Sequence, residues 1–368
     1  MNIIDFIRVV DKYFNGLLCL IIGFFKRKHD KPSKIKKTAF IKLWALGDSV
    51  TTLPLIKEIK KKTNSKITII CMKRNIEVYK RLKFVDKIII FDLKNLLRIV
   101  FLRKKFDVAF DLEPYLNFSA LLTNFVSRYA IGFSNQHRSS LYDYKQTFSR
   151  KKHVVDIYLG LGKLFGVGKI TTLVKLVCSE NDKSKTKKFL EKNKVTNSDL
   201  LIGICPGAAE SVKERMWSEK KFASLADKLI KNYSAKIVFI GSIGEKELIN
   251  SIKKLMKYKS IDSAGKLNLR QVFYLIEKCK IFISNDTGPM HIAAAQGCKV
   301  IGLFGPNTPV RWAPFGIRNI SVYHKLRCSP CIINEEGIMP KCINKEFQKC
   351  MKLISIEEVE KAVVKLLR

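Results

Sequence analysis

Apolar residues return along this chain in short blocks, and polar turns separate the blocks at the spacing of alternating strands and helices. Residues 39–44 form an apolar run that ends in a Gly-Asp turn, which predicts a first strand, and 49–62 predict the helix after it. Runs at 66–72, 87–91 and 108–112 predict further strands, the last closing on Asp111 and Glu113. Helices are predicted between them at 93–103 and 117–128. A polar, lysine-rich helix over 179–194 marks a boundary, and then the rhythm restarts. Strands are predicted at 200–205, 236–240, 281–284 and 300–304. Helices are predicted at 222–231, 245–257, 269–278, 290–296 and 356–367. Alternation of this kind predicts an α/β chain with parallel sheets covered on both faces. A length of 368 residues suits two such domains. Their boundaries are placed at 38–178 and 179–354, with an extension at 1–37 and a terminal helix at 355–368.

The extension has a pattern of its own. Asp5, Arg8 and Lys12 recur at helical spacing, and residues 17–25 are almost wholly apolar before Lys26-Arg27-Lys28. The apolar run is shorter than the roughly 20 residues a spanning helix needs. A signal peptide should open on positive charge and end at a small-residue cleavage site, and this segment does neither. An amphipathic helix lying on an anionic membrane fits the order of apolar and basic residues. A helix packed on the protein's own surface is the alternative.

Charge sharpens that reading. Sixty-nine Lys and Arg against 32 Asp and Glu give a net charge of +37, which favours an anionic partner. The lysines are spread along the chain and not gathered into one arm, which argues against a nucleic-acid domain. Compositional bias alone would also produce such a spread.

Three loops carry candidate chemistry. The sharpest is Ser284-Asn285-Asp286-Thr287-Gly288-Pro289-Met290-His291, where a strand runs into a tight turn and then a helix rich in alanine. A helix N-terminus at a sheet edge offers N–H groups and a positive dipole end to a pyrophosphate. Pro289 donates none, so Thr287, Gly288 and residues past the proline are the donors. Asp286 would alternatively be a capping residue. The second loop, Pro206-Gly207-Ala208, lets a phosphate approach closely, with Lys213 nearby to add charge. The third is Gly47-Asp48-Ser49, directly after the first strand. There Asp48 is a candidate general base, or an N-cap that only satisfies backbone donors. His291, one turn into its helix, is a candidate phosphate contact.

Together these strings resemble glycosyltransferase family 9, the ADP-heptose:lipopolysaccharide heptosyltransferases. The marks are the Gly-Asp turn that leads to Pro54, then Asp111-Leu112-Glu113, and Pro206-Gly207-Ala208 with Lys213 and Trp217. Gly265, the 285–295 string and Leu303-Phe304-Gly305-Pro306 complete them. The likeness runs from about residue 40 to 351. It implies a GT-B fold of two Rossmann-like domains facing across a cleft, the first for the acceptor and the second for a nucleotide sugar. It implies inverting transfer from ADP-heptose to a lipid-linked lipopolysaccharide core, with Asp48 as base and no metal in the chemistry. The residues for the donor diphosphate would be Pro206, Gly207, Ala208, Lys213, Thr287, Gly288 and His291, while Asp286 would orient the donor sugar or the loop. The expected location is cytoplasmic, peripheral on the inner face of the inner membrane, where the N-terminal helix and the positive charge would bring the enzyme to an anionic acceptor. The extension and Asn307, where Thr is frequent, depart from the pattern and leave specificity open.

Six of the ten cysteines are scattered and read as small buried hydrophobes. The other four, Cys328, Cys331, Cys342 and Cys350, open on Cys-x-x-Cys and fit a structural zinc site. Reduced thiols and disulfides remain as alternatives. Competing functions are transfer of another sugar, a non-catalytic basic binding module, and an assembly factor that uses only residues 1–37.

Overall fold

A computed structural model describes residues 9–333, 336 and 341–368. Asp5 and Arg8 of the predicted extension helix lie outside them. Compactness divides the chain at Ile170/Thr171.

The first unit carries helix α1 (Gly16–Phe25) and strands β1 (Lys37–Lys42), β2 (Lys66–Cys71), β3 (Lys87–Ile90), β4 (Phe106–Asp111), β5 (Ser127–Phe133) and β6 (Tyr144–Gln146). Between and after them lie α2 (Leu46–Thr63), α3 (Leu96–Val100), α4 (Asn117–Val126) and α5 (Val154–Leu161). The six strands run in the order β3-β2-β1-β4-β5-β6, and every pair is parallel. β1 is central, and all of it beyond Lys37 is buried, as its apolar run demands of a strand covered on both faces.

The second unit repeats the plan. Its elements are α6 (Glu180–Lys192), β7 (Leu201–Cys205), α7 (Glu219–Tyr233), β8 (Lys236–Phe239), α8 (Lys246–Leu255), β9 (Ile261–Asp262), α9 (Leu269–Lys278), β10 (Ile281–Asn285), α10 (Gly288–Ala295), β11 (Lys299–Phe304), β12 (Ile320–Tyr323), α11 (Lys349–Lys352) and α12 (Ile356–Leu367). The sheet order is β12-β11-β10-β7-β8-β9, the same winding as the first sheet read from the other edge. In both, the order reverses beside the unit's first strand. Loops leaving the C-terminal ends of β1 and β4, and of β7 and β10, therefore meet at a switch point where such sheets bind ligands.

Several expectations needed correction. The helix at 117–128 ends at Val126, and Ser127–Phe133 is a fully formed strand. Gly132 hid it by weakening the strand pattern. A Cβ there would stand 2.4 Å from the Tyr142 ring, so only glycine fits. The helix at 93–103 shrinks to a 3-10 turn and α3. β6, β9 and β12 were too short or too irregular to be anticipated.

The described part of the extension is tied to the first unit. Leu116 caps α4 without a side-chain hydrogen bond. Instead the Asp11 carboxylate accepts from Asn117 N at 3.0 Å and Phe118 N at 2.8 Å. A residue distant in sequence thus satisfies the orphan donors of a helix start and opposes its dipole. Cys19 is buried against the Asn117 carbonyl, and Gly23 lets α1 approach Ser140, whose Oγ would lie 2.0 Å from any Cβ. No helix of the described residues is long and apolar enough to cross a membrane.

Two outcomes check this account. Asp11→Ala should cost about 0.5–2 kcal/mol in urea unfolding, and an unchanged midpoint would remove the capping role. Gly132→Ala should cost about 1–3 kcal/mol by overpacking. Gly168→Ala, where nothing lies within 4 Å of the added carbon, should leave the midpoint in place; equal effects at the two sites would refute the steric argument.

Candidate functional site

In the first unit the chain leaves β1 through Leu43, Trp44 and Ala45 before α2 begins. Ala45 takes φ 60°, a conformation that costs a non-glycine residue energy unless its surroundings fix it. Glu113, just past β4, supplies that fixing. One carboxylate oxygen accepts from Leu43 N at 2.6 Å and Trp44 N at 2.8 Å, and the other from Lys42 Nζ at 3.0 Å. Asn75 donates to the Lys42 carbonyl at 3.0 Å and to Ser49 Oγ at 2.9 Å. Asp48 stands in the first turn of α2, its Oδ2 3.7 Å from Lys42 Nζ. The lysine side chain is 1% exposed and that of Asp48 24%. A buried cation therefore lies between a buried carboxylate and one that reaches solvent.

Asp111 supports this turn from below. Its carboxylate accepts from Tyr142 OH at 2.6 Å, Ser119 Oγ at 2.8 Å, Arg138 Nη1 at 3.1 Å and Glu113 N at 2.9 Å. Arg138, fully buried, also donates to the Leu116 and Glu113 carbonyls. Burial pushes the Asp111 carboxyl up, and the Arg138 guanidinium and the hydrogen bonds pull it down. Removing one partner of such a pair leaves an uncompensated charge, so the network fixes geometry more than it adds stability.

In the second unit Asn285, the last residue of β10, bridges the switch point. Its Nδ2 donates to the Pro206 carbonyl at 2.7 Å and the Gly207 carbonyl at 3.3 Å, and its Oδ1 accepts from Trp217 N at 3.1 Å. The Pro206-Gly207 loop and the Asp286-Thr287-Gly288 turn, both singled out in the sequence, are thus brought together. Gly207 leaves room for the Glu245 side chain, since a Cβ there would fall 1.7 Å from Glu245 Oε1 and the glutamate would have to move. Asp286 accepts from Asn307 Nδ2 at 2.9 Å and pairs with Arg215 at 3.4 Å, while Arg215 Nη1 also donates to the Asp286 carbonyl at 3.0 Å. Thr287 stands at the N-cap position of α10 without a side-chain cap hydrogen bond, with Pro289 in the first turn.

The remaining candidates divide. His291 is buried, with its ring 6.3 Å from that of Trp312. Ala208 is half-buried. Lys213 is exposed, and two residues later Arg215 makes the contact with Asp286. The buried Arg215 Nε and Trp312 Nε1 have no hydrogen-bond partner among the described residues, an arrangement that a bound anion or polar ligand would relieve. Sequence reasoning missed Lys42, Asn75, Arg138, Arg215 and Asn285. Asn285 lay inside a quoted string that gave it no role of its own, Arg215 lay two residues past Lys213, and the others carried no local signal.

All ten cysteines are unpaired. Cys328, Cys331, Cys342 and Cys350 line one cavity of about 20 Å³. Among the described residues no group of three or more His, Cys, Asp or Glu is already arranged to hold a metal ion.

Comparison with known proteins places this arrangement. The model of the family described as "Glycosyltransferase family 9 (heptosyltransferase)" matches residues 97–341. The chain is 28% identical over 230 residues to the lipopolysaccharide core heptosyltransferase OpsX of Haemophilus influenzae, an alignment covering 60% of this chain and 64% of that protein. It thus spans less than two thirds of that relative. Among solved structures, a family 9 glycosyl transferase from Veillonella parvula superposes with a TM-score of 0.77 at 24% identity, covering 91% of this chain and 97% of that one. The E. coli ADP-heptose lipopolysaccharide heptosyltransferase II gives 0.71 at 22% identity, covering 90% and 98%. Both likenesses extend to the paired sheets of the GT-B type fold. With the family model covering well over half of the sequence, the chain belongs to glycosyltransferase family 9.

Proposed function

We propose that this protein is a heptosyltransferase that moves a heptose from ADP-heptose to a lipid-linked lipopolysaccharide core acceptor. The observation that carries the reading is the Asp48 carboxylate. It is partly exposed at the C-terminal end of β1 and held 3.7 Å from a buried lysine. In the proposal it takes the proton of the acceptor hydroxyl as that oxygen attacks the anomeric carbon, and the sugar inverts as ADP leaves. Lys42 keeps the carboxylate aimed, and Glu113, which accepts from the same ammonium at 3.0 Å, keeps Lys42 from collapsing onto it as a closed pair.

The leaving diphosphate would be met in the second unit by the start of α10 at Thr287 and Gly288, by Gly207 and Ala208, and by Arg215 and Lys213. Positive charge and oriented N–H groups there can take up the developing charge, so the proposed chemistry runs through protein groups without a metal. Asp286, tethered by Asn307 and Arg215, would orient the donor sugar. The names of the relatives, lipopolysaccharide core heptosyltransferase and ADP-heptose heptosyltransferase, support the choice of sugar, nucleotide and acceptor.

The extension would bring the enzyme to its lipid-linked acceptor. On α1 the side of Gly16 and Cys19 is buried, whereas Phe24 is 85% and Phe25 76% exposed, with Leu17, Leu20 and Ile21 also exposed. Arg27 and Lys28 follow in solvent, the order of apolar and basic residues that anionic bilayers bind. The proposed location is the cytoplasmic face of the inner membrane.

Two measurements test these statements. ADP release from ADP-heptose in the presence of a lipid A–core acceptor should fall about 10²–10⁴-fold in Asp48→Asn, with ADP affinity retained. A folded native protein that neither binds ADP-heptose nor releases ADP removes the choice of donor, and a screen of other nucleotide sugars then follows. In flotation, the native chain should bind phosphatidylglycerol vesicles better than phosphatidylcholine ones and less well at high salt. The double change Phe24→Asp and Phe25→Asp should weaken that binding more than about tenfold, since burying each ring contributes roughly 1.5–3 kcal/mol at most. Unchanged binding would assign α1 to packing alone.

A further inference from the structure

A second exposed apolar element accompanies the extension in the first unit. On α3 and just past it, Leu97 is 74% and Phe101 76% exposed, with Val100 also in solvent. We propose that α3 and the turn after it form a second membrane anchor, which inserts together with α1 into an anionic lipid bilayer as one surface. This second anchor rests on the membrane reading of α1 given above and extends it to residues far from the extension in sequence.

Helix α4 joins the two elements. Ile99, a buried residue of α3, packs in one cluster with Leu122 and Val126 of α4. Cys19 of α1 packs in another with Ala120, and Leu121 leans on that cluster. At about 100° per residue, Leu122 and Val126 lie on one flank of α4, and Asn117 and Ala120 on the other. Between the flanks Phe118, Leu121 and Phe125 are half-buried, at the i, i+3 and i+7 spacing of a single stripe. α1 and α3 thus flank α4, and its outward stripe fills the interval between them with apolar surface.

The ends of these elements coincide as well. Cys19, in the first half of α1, donates to the Asn117 carbonyl at the start of α4. Past the other end of α1, Lys26 Nζ donates to the Leu141 carbonyl at 2.6 Å and to Asp143 at 2.8 Å. The turn after α3 closes on the far end of α4, where Lys104 N donates to the Phe125 carbonyl at 3.0 Å and Lys104 Nζ to the Asn124 carbonyl at 2.7 Å. Partial burial of that ammonium, and then repulsion from Lys26, lowers the Lys104 pKa, as befits two neighbouring cations. Phe24 and Phe25, just before Lys26, and Phe101, three residues before Lys104, therefore stand at the same end of α4.

Charge selects what covers this surface. Arg27 and Lys28 follow the rings of α1, while Arg98, Arg103 and Lys105 lie beside the apolar residues of α3, and all five are exposed. Among the described residues no carboxylate pairs with any of them. An exposed apolar surface with a polar rim marks an interaction site, and a rim of one sign calls for a partner of the other. An anionic bilayer supplies both an apolar interior and negative headgroups. A second copy of this chain would bring like charges face to face, which disfavours that pairing. Two anchors on one unit also hold better than either alone, because the second engages at high effective concentration once the first is bound.

The test uses the full chain and flotation with vesicles of phosphatidylglycerol mixed with phosphatidylcholine, or of phosphatidylcholine alone. Leu97→Ser with Phe101→Ser, which leaves the charge unchanged, should weaken binding to the anionic vesicles at least about tenfold. Ile317→Ser, at an exposed apolar position of the second unit, should bind like the native chain. The urea midpoint of the double variant should match the native one, since both side chains already stand in water. Phe101→Trp gives an independent reading: its emission should shift to the blue with anionic vesicles, beyond any shift of the native chain. A double variant that binds as well as the native chain, or no added blue shift in Phe101→Trp, overturns the second anchor. The α1 reading then survives if Phe24→Asp with Phe25→Asp still loses binding. A native chain that binds neither kind of vesicle overturns the membrane reading itself. Native chains that are dimeric by light scattering, and monomeric once Leu97 and Phe101 are both changed to serine, assign the surface to a second copy and overturn the proposal.

Discussion

Both halves of this molecule depend on one constraint: parallel strands cannot be joined by tight hairpins. Each strand must return through a crossover, so all its C-terminal ends, with their loops and helix starts, gather on one edge. When the winding reverses beside the first strand, two such loops diverge and leave room between them. The reversal falls between β1 and β4, and again between β7 and β10. Every residue assigned a part in the chemistry lies at one of these two places or is tied to it.

What occupies the reversal differs between the units, and the difference follows from charge. In the first, an Asp–Lys–Glu sequence of ionised groups runs from solvent into the core. Below it Asp111 and Arg138 form a pair that is wholly buried. In the second, uncharged Asn285 spans the gap, and the charged groups, Asp286 and Arg215, stand above it. An amide can link two loops without the desolvation cost of an ion. The first arrangement suits holding a proton acceptor, and the second suits leaving cationic capacity for an anion.

The repeated strand–helix rhythm was legible because buried parallel strands carry short apolar runs, as at 39–41 in β1, along all of β7 and at 281–283 in β10. α9 and α12 matched their expected bounds because capping boxes at Asn268 and Ser355 mark their starts. Strand β5 was not legible, since Arg128 and Gly132 interrupt it and its glycine is explained only by a tyrosine ring from another element. The loops at 48, 207 and 286 stood out through their turn residues. Lys42 did not, because one buried lysine cannot be told from its many exposed neighbours by composition. Nor could Asp11, whose role is set by a helix far along the chain. Side chains that act across long sequence separation leave no periodic trace.

The cap that Asp11 places on α4 has a mechanical meaning. Tension applied to the exposed rings of α1 does not end in a floppy tether. It is delivered through a carboxylate gripping two backbone amides to the helix that runs directly into β5, and through Lys26 on Asp143, which accepts from Ala130 N, to β5 itself. The load reaches the central sheet along rigid elements, so whatever surface holds the extension also fixes the orientation of the first unit's sheet relative to it.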